Sequence, residues 1–316
     1  GNAPSPTAFE EFNVYYNNSA DCAGICYDGF KPIQEIGGLL DRWSFITNAE
    51  SFTGYNQLQL VGNDNNSITF DGGMIVNDTG DSIVKSDLFG MGNCDGETYN
   101  PERPYDNCPS HNIRTWSYWF SSDVSQTHIS TEWRNPSNNN DFDHEVNIGM
   151  YQSNKIQIKW TNQTHNNDGG TQSPITVNSV NVDNYINGTL NDSQWHHVVV
   201  SLASEEYCTS NPTITNVLGQ TFDCETNKFI IFVDGLNFTP EIQNTPYTNM
   251  RYHHSLLVAS GAGTGMGGGW TGKIKELRLY DKPLTAPETQ ALYLGTGGIM
   301  IGTEGHTFGS FKDDCL

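Results

Sequence analysis

Gln194-Trp195-His196-His197-Val198-Val199-Val200-Ser201-Leu202, Lys228-Phe229-Ile230-Ile231-Phe232-Val233-Asp234-Gly235 and Trp270-Thr271-Gly272-Lys273-Ile274-Lys275-Glu276-Leu277-Arg278-Leu279-Tyr280 decide the fold between them. The first piece is a strand entered through an aromatic and two histidines. The second is an apolar run that stops at Asp-Gly, the dipeptide that best supports a tight hairpin turn. In residues 229–233 and 198–200 both alternating positions are apolar, whereas a strand with one wet face alternates. Something therefore covers the outer face of that sheet, and three covers are available: the N-terminal arm, the insertion 203–227, or another protomer. In the third piece Ile274 and Leu277 fall on opposite faces under strict alternation, which predicts a bulge or a twisted edge. Thr285-Ala286-Pro287-Glu288 then reads as a capping box with proline in the first turn, so a short helix should run to Tyr293.

Taken in order, Trp195-His196-His197-Val198, the Val233-Asp234-Gly235 hairpin, the alternation Gly272, Ile274, Glu276, Arg278, Tyr280, and the closing Leu284-Thr285-x-x-Glu288 resemble the signature of the laminin-G-like, concanavalin A-like jelly roll. The match is specific over 194–293. Upstream, Ile68-Thr69-Phe70-Asp71-Gly72 is similar to an early strand of that family, and Thr115-Trp116-Ser117-Tyr118-Trp119-Phe120 stands where the family has a tryptophan-bearing strand. The resemblance implies an all-β, two-sheet antiparallel jelly-roll sandwich with one short C-terminal helix and extended N- and C-terminal arms. It implies the fold far more sharply than the function, because this sandwich hosts lectins, adhesion modules, polysaccharide enzymes and structural repeats.

The expected organisation is an N-terminal arm over 1–45, the jelly-roll domain over 46–293 and a C-terminal tail over 294–316. Short strands are expected at 43–46, 57–61, 67–70, 74–76, 115–120, 129–133, 144–151, 155–160 and 175–177, with Gly, Asn and Asp clusters between them. The arm carries Phe9, Phe12, Val14 and Tyr15 without a clean period, which suits packing along its own sandwich or docking on a neighbouring copy. The glycine-rich loop 261–269 contains a Gly-x-Gly-x-x-Gly spacing at 263–268, but a strand follows where a phosphate loop needs a helix N-terminus.

The 316 residues carry 15 Lys plus Arg against 36 Asp plus Glu, a formal charge of −21. Such a surface repels phosphate backbones and anionic membranes, which excludes nucleic acid as the expected partner. No apolar run reaches the ~18 residues that span a bilayer, so membrane insertion is not expected. Aromatics make up 11% of residues, and with the β-branched residues they supply the core that a mean hydropathy of −0.52 would otherwise leave thin. A start at Gly1, without Met or an apolar leader, fits a mature secreted form.

Seven cysteines stand at 22, 26, 94, 108, 208, 224 and 315. Cys94 with Cys108 and Cys208 with Cys224 each bracket a polar, turn-rich insertion, and closing such a loop is worth about 3 kcal/mol in the chain-entropy model. Cys22 pairs with Cys26, or one of them reaches Cys315; the odd count leaves one thiol over. Asn-x-Ser/Thr sequons occur at Asn17, Asn65, Asn77, Asn162, Asn187, Asn191 and Asn237, about the number that this composition yields by chance. Asn237 is the doubtful acceptor, since Pro240 closes its sequon.

Among candidate chemistries, His196-His197 and His253-His254 look like metal ligands, but neighbours on a strand point to opposite faces and cannot share an ion from that strand. The Trp-His-His segment is structural in the family that it resembles. Asp141-Phe142-Asp143-His144-Glu145 puts three carboxylates at i, i+2 and i+4 of a strand, hence on one face. Laminarinase-like glycoside hydrolases share this jelly roll and carry Glu-x-Asp-x-Glu on a concave strand. By that resemblance Asp141 matches the nucleophile, Asp143 the orienting carboxylate and Glu145 the acid/base, although Asp141 is one carbon shorter than the family's Glu. The same Asp141 and Asp143, with Asn138 to Asn140, form an alternative calcium site; no cofactor is otherwise required. Trp133, Trp160 and Trp270 are candidates for a sugar groove or for the core.

The expected function is an extracellular, glycosylated structural or adhesive module, secreted and partnered by itself or by other extracellular proteins and glycans. Self-assembly into a surface filament or matrix array through the arm is its specific version. A calcium-assisted lectin and a glycoside hydrolase are the alternatives.

Overall fold

The computed structural model describes residues 36–51, 58–61, 68–76, 83–87, 113–124, 127–134, 142–162, 175–186, 188–241, 255–258 and 271–296. In chain order the strands are β1 (Leu39–Trp43), β2 (Gln59–Val61), β3 (Ile68–Phe70), β4 (Met74–Val76), β5 (Ile83–Asp87), β6 (Thr115–Ser121), β7 (Thr127–Arg134), β8 (Phe142–Tyr151), β9 (Lys155–Asn162) and β10 (Ile175–Asn178). They continue as β11 (His196–Leu202), β12 (Thr213–Thr215), β13 (Thr221–Asp223), β14 (Phe229–Val233), β15 (Leu236–Asn237), β16 (Ser255–Val258) and β17 (Gly272–Tyr280). Two helices are described, α1 (Glu205–Ser210) and α2 (Ala286–Gly295).

The chain forms an all-β antiparallel sandwich. Its first sheet runs β15-β14-β11-β6-β17-β4-β3, with β1 also paired to β17; the second runs β10-β9-β8-β7-β16-β5-β2. The sandwich thus takes in Leu39–Trp43, inside the stretch read from sequence as an arm. The expected strand at 43–46 ends where it should begin: Phe45 takes a φ of 56° and turns the chain out of the sheet. Trp43 and Phe45 nevertheless both reach the core.

Between the sheets the large side chains are Trp43, Phe45, Trp116, Tyr118, Phe120, Trp160 and Phe229, met by an aliphatic layer from β8, β9, β11 and β16. A second apolar layer lies on the outer face of the first sheet, where Val199, Ile230, Phe232 and Tyr280 pack under Cys208, Ile214, Cys224, Leu284 and Leu292. The cover that the two-faced apolar strands require is therefore the chain's own insertion, joined by α2 and by Ile36 and Leu39. Another protomer is not needed there. Local contacts hold the insertion in shape. Ser204 caps α1 by accepting from the Tyr207 N–H at 3.1 Å, β12 pairs with β13, and the Cys208–Cys224 disulfide ties the two parts together.

Three local predictions meet their geometry. Asp234 and Gly235 both take positive φ, 48° and 78°, as a tight β14–β15 hairpin demands. The bulge falls between Lys275 and Arg278 opposite β6, and Glu276 absorbs it with a φ of 55°. Thr285 and Glu288 form the reciprocal capping box at the start of α2, which runs two residues past the expected end.

Candidate functional site

The paired histidines diverge as strand geometry requires, and both are structural. His196 Nδ1 lies 2.8 Å from Asp234 Oδ2 and its Nε2 3.2 Å from Asp192 Oδ1, so it joins the hairpin turn to the loop before β11. Burial pulls its pKa down, but the bond to Asp234, with the charges of Asp234 and Asp192, outweighs this and holds the imidazole above its ordinary range. His197 faces the other way: its Nε2 lies 2.9 Å from Ser117 Oγ, and its ring stacks on Tyr293 at 5.9 Å. Burial, then the nearby Arg278 charge, pushes His197 down to about 3. A third histidine, His128, sits in the core against Phe120 at 4.2 Å and is pushed down to about 3 by burial alone. Nothing in the sequence around His128 marks it as buried; a register shift at the start of β7 carries it there.

Trp160 is a core residue, edge-on to Phe229 at 5.4 Å, and takes no part in a sugar groove. Trp133 lies in β7 as the register partner of His144. Trp270, His253, His254, the arm residues Phe9, Phe12, Val14 and Tyr15, and Cys22, Cys26, Cys94, Cys108 and Cys315 lie outside the described residues, as do Asn17, Asn65, Asn77 and Asn187. Asn162 ends β9. Asn191 accepts from Thr189 Oγ1 at 2.7 Å. At the Asn237 sequon, Asn237 accepts from the Thr239 backbone at 2.9 Å and the Thr239 hydroxyl accepts from the Ile231 N–H at 3.0 Å. Both polar groups of that sequon are thus taken into the fold.

The second sheet presents the candidate surface. Reading across its strands by register, Val177, Ile158, Ile148, Ile129, Val258, Val84 and Leu60 form one continuous apolar row. One residue along, the row is Thr176, Lys159, Asn147, Ser130, Leu257, Lys85 and Gln59. Two residues further on, it is Thr161, Glu145, Glu132, Ser255 and Asp87. On the other side of the apolar row come Asn178, Gln157 and Gly149, with Gln157 Nε2 donating to Asn178 Oδ1 at 2.7 Å. Val177, Ile158, Ile148, Ile129 and Val258 of the apolar row are buried in the core, and the period of two puts Thr176, Lys159, Asn147, Asn178 and Gln157 on the outer face. Along the polar rows Asn147 and Gln157 are buried, whereas Thr176, Lys159 and Asn178 keep access to solvent at the β9–β10 end. Neighbouring strands lie about 4.8 Å apart, so a row across the sheet spans about 29 Å.

Of the expected carboxylate trio, Asp143 and Glu145 belong to β8; Glu145 has the parity of Asn147, whereas the register with β7 shifts at Asp143, and Asp141 lies outside the described residues. The register adds a residue that spacing along one strand did not reveal: Glu132 stands directly opposite Glu145. Only the pairing of β7 with β8 brings them together, across thirteen positions of sequence. Among the described residues, no group of three His, Cys, Asp or Glu side chains is placed to hold a metal ion. Among them also, no helix is long and apolar enough to cross a membrane.

No family model matches the chain, and no curated protein does. The laminin-G-like resemblance is thus carried by its motif alone. Solved structures do align with the chain at low identity. Domain 4 of AbnA, an extracellular GH43 arabinanase from Geobacillus stearothermophilus solved with arabinotriose, is 14% identical over 81% of this chain and 98% of its own, with a TM-score of 0.48. Trypanosoma rangeli sialidase is 13% identical over 82% of this chain and 33% of its own, at 0.46. The binding domain of botulinum neurotoxin serotype D is 10% identical over 82% of this chain and 51% of its own, also at 0.46. The chain spans about a third and a half of the latter two, and likeness at this level transfers no residue's role.

Proposed function

We propose that the protein is an extracellular adhesive module that binds glycans on the outer face of the second sheet. The observation that supports this is the contrast between the two outer faces. That of the first sheet is apolar and sealed by α1, the β12–β13 hairpin and α2. That of the second carries Thr176, Lys159, Asn178, Asn147 and Gln157 among its described side chains. Thr176, Lys159 and Asn178 offer accessible donors and acceptors that suit sugar hydroxyls, and the buried Gln157 amide orients Asn178 by donating to its Oδ1 at 2.7 Å. A paired sheet holds such groups in register at little ordering cost. The charge of −21 favours neutral over sulfated or sialylated glycans. The Cys208–Cys224 disulfide fits an oxidising compartment.

The test is a glycan array with the wild-type chain and with Lys159→Ala and Glu145→Gln. Binding should fall at least about tenfold in each variant, with the melting temperature kept. Repeating the array in calcium and in a chelator tests calcium assistance at Asp141 and Asp143. A glycosidase reading gains from the facing Glu132 and Glu145. It requires that Asp141→Asn and Glu145→Gln each abolish release of reducing ends from β-glucan, a release that the binding module does not produce. Assembly through the arm is a separate proposal, tested by electron microscopy of the full chain beside one lacking residues 1–30.

A further inference from the structure

The β8–β9 hairpin and the loop that leaves β10 are joined at one rim of the sandwich. Gln152 and Ser153 turn the hairpin with φ of 52° and 64°. The loop docks on it through three backbone bonds: the Val182 N–H donates to the Asn154 carbonyl at 3.1 Å, the Leu190 N–H to the Ser153 carbonyl at 2.9 Å and the Ser179 N–H to the Ile156 carbonyl at 2.8 Å. Val182 and Leu190 are both fully buried. Asp183, directly after Val182, is thereby held against the hairpin.

There Asn154 Nδ2 donates to Asp183 Oδ2 at 3.2 Å. The other oxygens of the pair, Asn154 Oδ1 and Asp183 Oδ1, are buried with no hydrogen-bond partner. Buried polar atoms ordinarily have one. Both of these are pure acceptors, so what they lack is a donor or a cation. The backbone donors on either side are spent, since the Val182 and Leu190 N–H groups bond the hairpin and the Asp183 N–H donates to Asn181 Oδ1 at 2.8 Å. Among the described residues no cationic side chain pairs with Asp183, although Lys155 follows Asn154 directly in the chain.

The printed contact already has the spacing of two neighbouring calcium ligands. Turning the Asn154 amide by about 180° exchanges its oxygen and nitrogen without moving either position. Its oxygen then stands 3.2 Å from Asp183 Oδ2. Two oxygens bound to one calcium at about 2.4 Å, about 80° apart at the metal, are separated by about 3.1 Å. Without an ion that turn sets two acceptors against each other; with one, it completes a chelate.

We propose that a calcium ion binds at this rim, held by the Asp183 carboxylate and the Asn154 side-chain oxygen and completed by water. An all-oxygen pair with a single carboxylate suits a weak calcium site, not a metal that seeks nitrogen or sulfur. The ion staples the loop after β10 to the β8–β9 hairpin. Asp143 lies near the other end of β8, eight residues before Tyr151 and hence about 27 Å along the strand, so this site is separate from the one that Asp141 and Asp143 suggest.

Two measurements test it. In a chelator-stripped sample, millimolar calcium chloride should raise the melting temperature of the full chain by about 2 °C or more over the same concentration of magnesium chloride. That rise should vanish in the isosteric Asp183→Asn, shrink in Asn154→Leu and survive in the double variant Asp141→Asn, Asp143→Asn. Long-wavelength diffraction from calcium-soaked crystals of the wild-type chain should show an anomalous peak within about 2.6 Å of the Asp183 and Asn154 oxygens. Wild-type melting indifferent to calcium, a rise that Asp183→Asn retains, or a water at the site without anomalous signal would overturn the proposal.

Discussion

His196 and His197 are neighbours in the chain, yet they tie stability to pH with opposite signs. The folded state holds His196 protonated between Asp234 and Asp192, with its pKa raised. Its contribution is complete below about pH 6.5 and is lost as pH rises through the folded value. His128 and His197 are held neutral with folded values of about 3. Their contribution is complete above about pH 6.5 and is lost as pH falls towards 3, with a slope of up to about 1.4 kcal/mol per pH unit for each. Thermal melts across this range should therefore fall away on both sides of a plateau near neutrality. Asp234→Asn should remove most of the alkaline limb and leave the acid limb intact; an unchanged alkaline limb would refute the assignment. The divergence of the two histidines was legible, because strand parity dictates it. Their partners were not: Asp192 comes from a preceding loop and Asp234 from a turn, and only the closed β11–β14 ladder brings them together.

At the scale of the element, residues 203–227 show what composition conceals. The need for a cover followed from the apolar runs of β11 and β14, but the insertion itself is largely polar in sequence, and the residues it turns onto that face are Ala203, Cys208, Ile214 and Cys224, with Tyr207 beside them. The disulfide closes a loop of 16 residues. Removing it with a Cys208→Ala, Cys224→Ala pair should cost about 3 kcal/mol in denaturant titration. Helix α2 was legible down to its cap, since a capping box is a local pattern, and Thr285→Ala should cost about 1 kcal/mol. The bulge at Glu276 was legible as a break in alternation. Its consequence was not: the extra residue presents the Glu276 carboxylate to both Arg42 and Arg278. Glu276→Gln leaves two guanidiniums largely buried without that carboxylate, and should destabilise by about 3–5 kcal/mol, read as a drop in the denaturant midpoint.

Across the whole molecule the two sheets present opposite characters. One outer face is closed by the chain's own insertion and helix α2; on the other sheet, an apolar row crosses all seven strands and polar residues flank it on β9 and β10. The sandwich was legible because the hairpin, the bulge and the cap are written in contiguous residues. The candidate face was legible only in part. Asp143 and Glu145 share a strand and declare themselves by spacing, whereas Glu132, Lys159 and Asn178 come from other strands whose pairing no single segment encodes. The central claim is that this polar face binds glycan while the opposite face is sealed. The most direct measurement is a glycan array probed with the wild-type chain, Lys159→Ala and a control, Lys282→Ala, on the far side of the sandwich. The account predicts defined neutral glycans bound by the wild type and the control, and lost in Lys159→Ala. Equal binding by all three chains, or no glycan bound by any, would contradict it.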